Sequence, residues 1–305
     1  MRKVKKWLAL LVATMLALQP LAFPVSAAPA DDVAPPEAWG PIPTETQLQY
    51  HEEELSAFIH FGVNTFTGVE WGNGRENPNV FHPTGLDTDQ WVKALKDAGF
   101  ERIIMIGRHH DGFCLWNSDY TTQDVASSTD FQATQAARGQ SGDVLEELSK
   151  SCTKYDMDMG FYLSPWDANN PTYGYGSGTD EETDSNGDYN EYYMNQLREV
   201  LGNPKYGNNG KFVEVWMDGA KGSGAAAQHY KFQEWFDLIE ELQPGAVVFS
   251  PYGSTIRWIG NESGKAGDPC WSKLDQQRQR NYYDTYGGDE AAYLNSGDPN
   301  GANSY

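Results

Sequence analysis

Asp218 and Glu262 stand 44 positions apart, each shortly after a tryptophan, and His60, His109 and His110 lie upstream of both. Asp218 closes the run VEVWMDGA, residues 213–220, in which Val213, Val215 and Met217 alternate with Glu214, Trp216 and Asp218. Period-two alternation of strand-forming types reads as a β-strand, and Gly219 ends it. Asp218 is therefore expected at a strand's C-terminal tip. Taken alone, an aspartate there is better read as the opening of a turn. A second carboxylate, imidazoles and aromatic faces converging on it change that reading. One carboxylate acting as nucleophile or base, and one carboxylic acid donating a proton, are what glycosidic-bond hydrolysis requires. Trp and Tyr faces suit the apolar C–H patches of sugar rings, and His and Arg bond hydroxyls.

The same imidazoles, with Asp111, also allow a metal hydrolase. His109 and His110 are adjacent, however, and strand neighbours face opposite sides, so both serve as ligands only if the strand has already ended. No His-x-His follows the first strand, which ranks metal chemistry second. The polar segment 167–188 contains TDSNGD, but the twelfth position of an EF-hand loop falls on Tyr193 rather than Glu. Cys114, Cys152 and Cys270 form an odd set without CxxC spacing, which argues against a disulfide framework or a structural zinc site and leaves room for one disulfide after export. No metal or cofactor is expected.

The elements that must position these groups alternate along the chain. LSAFIHFGVN (55–64), RIIMIGRHH (102–110), MGFYLSP (159–165), KFVEVWMDGA (211–220) and AVVFSP (246–251) read as strands. DTDQWVKALKDAGF (87–100), GDVLEELSKSCTKY (142–155), NEYYMNQLREVLG (190–202) and QHYKFQEWFDLIEELQPG (228–245) read as helices. Near-continuous apolar strands between amphipathic helices imply parallel βα units. A doubly wound sheet is the competing arrangement, but no GxGxxG follows the first strand. The expected fold is α/β, a (β/α)8-like TIM barrel of which the chain holds five or six βα units, since the segment from Pro269 onward lacks strand-like runs. Barrel sites form at the C-terminal ends of the strands. That is where His60, His109 with His110 and Asp111, Tyr162 with Trp166, and Trp216 with Asp218 fall. Arg257, Trp258 and Glu262 follow the fifth strand.

Around this domain, expected over 46–305, lie a Pro-rich linker at 29–45 and an N-terminal segment, 1–28, with the features of a secretory signal peptide. Arg2, Lys3, Lys5 and Lys6 precede an apolar core, Trp7–Leu18, and Val25-Ser26-Ala27 fits the cleavage pattern. The apolar run is short for a stable membrane span. Cleavage there removes four of the 22 Lys and Arg and none of the 43 Asp and Glu, taking the formal charge from −21 to about −25. Such acidity argues against nucleic acid and anionic membrane surfaces as partners and leaves neutral glycans unaffected.

Together the motifs resemble the family 29 glycoside hydrolases, the retaining α-L-fucosidases, over about residues 46–268. The resemblance lies in FIHFGVNTFTGVEWGNG, RIIMIGRHHDGFCLW, GFYLSPWD, NEYYMNQLREVL, VEVWMDGAKG and IRWIGNESG. It implies Asp218 as nucleophile and His60, His109 and His110 as partners of the fucose hydroxyls. Glu70 and Trp71 join them from the loop after the first strand, Tyr162 and Trp216 line the site, and Arg257 is a further substrate contact. RWIGNE resembles the subgroup that cleaves α-1,3 and α-1,4 fucosyl branches, which implies Glu262 as acid/base. The implied activity is cofactor-free double displacement on fucosylated glycans by a secreted enzyme. Family members continue past this Glu with further strands, a WxPxE-type segment and usually a β-sandwich, none of which the sequence shows. The competing reading is a lectin-like barrel that binds fucose without turnover, for which neither Asp218 nor Glu262 is needed.

Overall fold

The computed structural model describes residues 42–174, 188–219 and 230–253, with positions 34, 36–38, 40, 228, 255, 256, 275, 277 and 279–281. The chain divides into two units, Met1–Trp39 and Gly40–Tyr305, and every element named below belongs to the second. The expected signal peptide and the segment 175–187 lie outside the described residues.

Five strands, β1 (Ser56–Ile59), β2 (Arg102–Arg108), β3 (Asp158–Leu163), β4 (Glu214–Trp216) and β5 (Val247–Phe249), form one sheet in the order β1-β2-β3-β4-β5. Every neighbouring pair is parallel. Helix α1 (Glu45–Glu53) precedes β1. Between β1 and β2 come α2 (Val63–Thr67) and α3 (Thr88–Asp97), and between β2 and β3 come α4 (Thr129–Ala137) and α5 (Val144–Tyr155). Helix α6 (Asp188–Leu201) joins β3 to β4, and α7 (Phe232–Leu242) joins β4 to β5. Strands added in chain order, all parallel, are the winding of a (β/α) barrel; a doubly wound sheet reverses order at a switch point. The described residues thus build part of a (β/α)8 barrel.

The sheet is apolar on both faces because each is covered. Along β2, Ile103 and Met105 join the large core shared with the helices, whereas Ile104 and Ile106 face the barrel side with Tyr162 and Trp216. Leu148 and Cys152 of α5, Leu197 of α6, and Trp235 and Ile239 of α7 supply the helix side. Burial of each such large side chain contributes roughly 1.5–3 kcal/mol. The helices begin at polar caps: Asp87 accepts from the Gln90 amide at 3.0 Å, and Asp143 accepts from the Glu146 amide at 2.9 Å. Cys114 and Cys152 are buried free thiols, and burial pushes Cys152 up to about 12. Cys270 lies outside the described residues. Among the described residues no helix is long and apolar enough to cross a membrane.

The barrel face is layered. At the N-terminal ends of the strands Arg102 spans Glu53 and Glu214, with its Nη1 2.9 Å from Glu214 Oε2. Above it Trp216 lies flat on Phe249, ring centroids 4.1 Å apart and planes 5° from parallel. Above that the C-terminal tips carry polar groups. Strand extents differ from expectation at those tips. The first strand stops at Ile59, because Gly62 turns the chain into the short α2, where the Gly62 amide donates to Thr65 Oγ1 at 3.2 Å. The second stops at Arg108, not at His110. The fourth shrinks to Glu214–Trp216, between the Asn208–Lys211 turn and the segment carrying Asp218. Helices α1 and α4 are additions; neither carries a strong apolar stripe, although Thr44 and Gln47 form a capping box for α1.

Candidate active site

Parallel pairing sets Tyr162 opposite Trp216. Alternation beyond β4 then returns Asp218 to the face that carries both. The Tyr162 hydroxyl donates to Asp218 Oδ2 at 2.8 Å. Nε2 of His110 stands 3.9 Å from the same oxygen. The Asp218 side chain is 23% exposed, so it is reachable from solvent.

His109 and His110 share this pocket because the strand ends before them. The β2–β3 register shifts between Ile106 and Arg108. Gly107 sits there against Phe161, whose Cε2 would lie 2.2 Å from any Cβ at that position. The bulge turns Arg108 toward α6 and leaves the following turn to present both imidazoles. Their ring centroids are 4.0 Å apart, and His60 continues the row 4.5 Å from His109. Trp71 meets His110 edge-on at 5.5 Å and Trp166 at 5.6 Å, while Trp166 stacks on His110 at 4.8 Å. Trp71 is 46% exposed.

Electrostatically, the described residues set neutral imidazoles beside the carboxyl groups of Asp218 and Glu70. Burial lowers His109 to about 3, reinforced by the neighbouring histidines. Burial and the Arg108 charge lower His110 to about 3. His60 is lowered too, by desolvation, against the opposing pull of Glu70 and Asp218. Burial and the Asp218 charge hold the Tyr162 phenol well above its ordinary value, so it remains a donor. Nδ1 of His109 is buried without a hydrogen-bond partner.

A supporting layer fixes these groups. Arg108, fully buried, donates to Asp167 Oδ2 and Gln196 Oε1, each at 2.8 Å, and to the Ser164 carbonyl. Ser164 in turn places its hydroxyl 2.6 Å from His110 Nδ1. The loop carrying Glu70 and Trp71 is tied down by Asn64, whose Nδ2 donates to the Glu70 carbonyl at 3.1 Å and to Asp111 Oδ2 at 2.8 Å. Asn169 holds the same loop further on, donating to the Gly74 carbonyl at 2.7 Å. Burial raises Asp111 to about 7.

The structure therefore brings together His60, Glu70, Trp71, His109, His110, Tyr162, Trp216 and Asp218 of the residues singled out from sequence. Arg257 and Glu262 lie outside the described residues. Sequence reasoning missed Asn64, Arg108, Ser164 and Asp167. For Arg108 a signal existed, a charge closing the otherwise apolar run RIIMIGR; the other three are ordinary loop residues until the fold sets them in place. Among the described residues no group of three or more His, Cys, Asp or Glu is arranged to hold a metal ion.

A pocket at the C-terminal edge of a parallel, sequentially wound sheet is where (β/α)8-barrel proteins carry their sites. Comparison with known proteins narrows that class. The family model described as alpha-L-fucosidase matches residues 73–281, and the chain belongs to that family. Alpha-L-fucosidase 1 of Arabidopsis thaliana is 43% identical over 258 residues, which cover 85% of this chain and 46% of the plant protein. The crystal structure of SpGH29 superposes with a TM-score of 0.74 at 46% identity, covering 88% of this chain and 55% of that one. A Ruminococcus gnavus GH29 fucosidase in complex with fucose gives a TM-score of 0.70 at 41% identity over 88% of this chain and 56% of that one. The chain thus spans about half the length of the relatives it matches.

Proposed function

We propose that this pocket hydrolyses terminal α-L-fucosyl linkages with retention of configuration. The observation that carries the reading is Asp218: a solvent-reachable carboxylate at a strand tip, hydrogen-bonded by Tyr162 and faced by His110. Family membership supports the substrate class, and the Ruminococcus gnavus relative is in complex with fucose.

Neutral imidazoles suit a sugar, because each can donate from one nitrogen and accept at the other. His60, His109 and His110 bond the fucose hydroxyls, with Glu70 and Arg257. His109 Nδ1, buried without a protein partner, gains the most from such a bond. Trp71 packs on the sugar's apolar face. In the first step Asp218 attacks the anomeric carbon while Glu262 gives its proton to the departing glycan oxygen. In the second, Glu262 takes a proton from water, which displaces Asp218 and releases fucose. Retention requires the two carboxyl groups about 5–5.5 Å apart. The RWIGNE segment supports α-1,3 and α-1,4 branches as the linkages cleaved, and the basic, apolar and small-residue order of residues 1–28 supports secretion.

The test is Asp218→Asn assayed on an aryl α-L-fucoside. Loss of nearly all turnover with an unchanged melting temperature is expected; turnover at the wild-type rate refutes the assignment. Incubation with a Lewis-type oligosaccharide separates catalysis, which frees fucose, from the lectin-like alternative, which retains the glycan intact. An α-1,2-linked control tests the branch preference, and N-terminal sequencing of the exported protein tests the cleavage site.

A further inference from the structure

The hydroxyl of Ser164 occupies a position from which it can decide what His110 offers to the pocket. Ser164 is fully buried, and Arg108 clamps it on both sides: the Ser164 amide donates to the Arg108 carbonyl at 3.1 Å, and the Arg108 guanidinium donates to the Ser164 carbonyl. The Trp166 amide donates to Ser164 Oγ at 3.1 Å, which uses one oxygen lone pair and holds the oxygen in place. His110 Nδ1 lies 2.6 Å from that oxygen. The His110 backbone is held by the same loop, its carbonyl accepting from the Ala168 amide at 2.8 Å. Neither partner is therefore free to turn away.

A neutral imidazole has two tautomers, and hydrogen-bond partners select between them. The Ser164 hydrogen has two acceptors in reach, His110 Nδ1 and the Tyr162 oxygen. If it goes to Tyr162, His110 must carry its own hydrogen on Nδ1 and aim a bare lone pair at Asp218 Oδ2, 3.9 Å away. Two acceptors then face each other in a partly desolvated pocket, where electrostatic terms are strong. If it goes to His110, the imidazole hydrogen sits on Nε2 and the repulsion becomes an attraction.

We propose that Ser164 is a positioning residue: by donating to His110 Nδ1 it holds the ring as the Nε2–H tautomer, so that His110 meets Asp218 and a bound hydroxyl oxygen as a donor. The tautomer is inferred from the two contacts of His110, Ser164 at Nδ1 and Asp218 at Nε2; its effect on turnover rests on the fucosidase reading above. Loss of the Ser164 hydroxyl removes one of the two contacts that favour the Nε2–H form, Asp218 being the other, and so raises the share of His110 that faces the pocket as an acceptor.

The experiment is long-range proton–nitrogen correlation NMR on the whole protein with nitrogen-15 histidine, with the His110 signals assigned by their loss in His110→Gln. The wild type is expected to show a protonated Nε2 and a bare Nδ1 on His110; the reverse pattern overturns the proposal, whether or not any variant folds. Ser164→Ala is expected to shift His110 toward the Nδ1–H form and to lower kcat/KM on an aryl α-L-fucoside by about tenfold, the scale of one lost hydrogen bond. Ser164→Thr, which keeps the hydroxyl, should restore the Nε2–H pattern. An unchanged tautomer in Ser164→Ala also overturns the proposal, because Asp218 would then suffice. The NMR pattern requires no turnover, so an inactive wild type with the expected tautomer counts against the fucosidase reading alone.

Discussion

Tyr162 donates to Asp218 Oδ2 at 2.8 Å across a separation of 56 positions in the chain. The contact is a consequence of sheet register. Tyr162 on β3 is paired with Trp216 on β4, and Asp218 lies two residues further along the same face. The phenol is itself wedged, its ring stacked on Trp216 at 5.2 Å and on His109 at 6.0 Å. The donor is thus fixed before any ligand arrives and holds the Asp218 carboxylate in one orientation.

Tyr162→Phe is expected to keep the fold and lose rate. A hydrogen bond to a charged group contributes about 1.5–3 kcal/mol, so the loss of Asp218's alignment is expected to lower kcat/KM by at most roughly 10- to 150-fold. The stacking area is retained, so the melting temperature should move little. Steady-state kinetics on an aryl α-L-fucoside, paired with a thermal melt, measure both; wild-type kcat/KM in the variant removes Tyr162 from the mechanism.

Stability should depend on pH through opposing groups in and beside the pocket. His109 and His110, lowered to about 3, are neutral in the fold but gain protons in the unfolded chain below about 6.5. Their contribution to stability is therefore lost as pH falls below that value. Asp111, raised to about 7 mainly by burial and also by Glu76 and Asp167, stays protonated in the fold while the unfolded chain ionises near 3.8. Its contribution runs the other way, falling as pH rises from about 4 to 7. Asp111→Asn removes only the second trend. Between about pH 4.5 and 6 the variant's stability is expected to rise with pH more steeply than the wild type's, by about 1.4 kcal/mol per pH unit. Urea titrations at several pH values give the two slopes; parallel slopes would show that Asp111 is ionised in the fold.

The barrel was legible from sequence because its signal is periodic and strong. Val213 to Asp218 alternates cleanly, and the same two-residue period places Trp216 and Asp218 on the barrel face in the fold. The strand ends were less legible. The run RIIMIGRHH has no local stop, and the break comes from a long-range packing event, Phe161 covering Gly107. That break is what lets two adjacent histidines serve one pocket, which an uninterrupted strand forbids. The supporting residues were least legible: Ser164 and Asn64 acquire their roles only from partners, His110 and Asp111, that lie 54 and 47 positions away.

Gly72 should be intolerant of any side chain. Its φ is +71°, and an added Cβ would lie 2.8 Å from Asn64 Oδ1, 2.9 Å from Asp111 Cβ and 2.9 Å from Glu76 Oε1. These are groups that tether the loop bearing Glu70 and Trp71. The left-handed backbone adds a cost of roughly 1–2 kcal/mol for a non-glycine residue. Gly72→Ala is expected to release the loop, weaken the Trp71–His110 contact and raise KM more than it lowers kcat. Tryptophan fluorescence reports the loop and kinetics report the split. A variant with wild-type KM would show that the loop's position does not matter to binding.

Arg108 provides the strictest test of the supporting layer. Its guanidinium is fully buried, with Asp167, Gln196, the Ser164 carbonyl and, at 3.4 Å, the Tyr189 hydroxyl around it. The rings of Tyr192 and Tyr193 lie 5.5 and 5.6 Å from its charge centre. Arg108→Met leaves the Asp167 carboxylate buried without its counter-charge, and breaking such a pair costs about 3–5 kcal/mol. Arg108→Lys should fare little better, because one ammonium cannot reach partners spread along a planar fork. Adding Asp167→Asn to Arg108→Met should recover part of the loss: the new amide carries no charge, and its oxygen can still accept from the Asn169 and Asn170 amides that Asp167 Oδ1 serves at 2.8 and 2.9 Å. A urea double-mutant cycle measures the coupling. Additive losses would mean that Arg108 acts on the pocket through the Ser164 carbonyl and α6 rather than through Asp167.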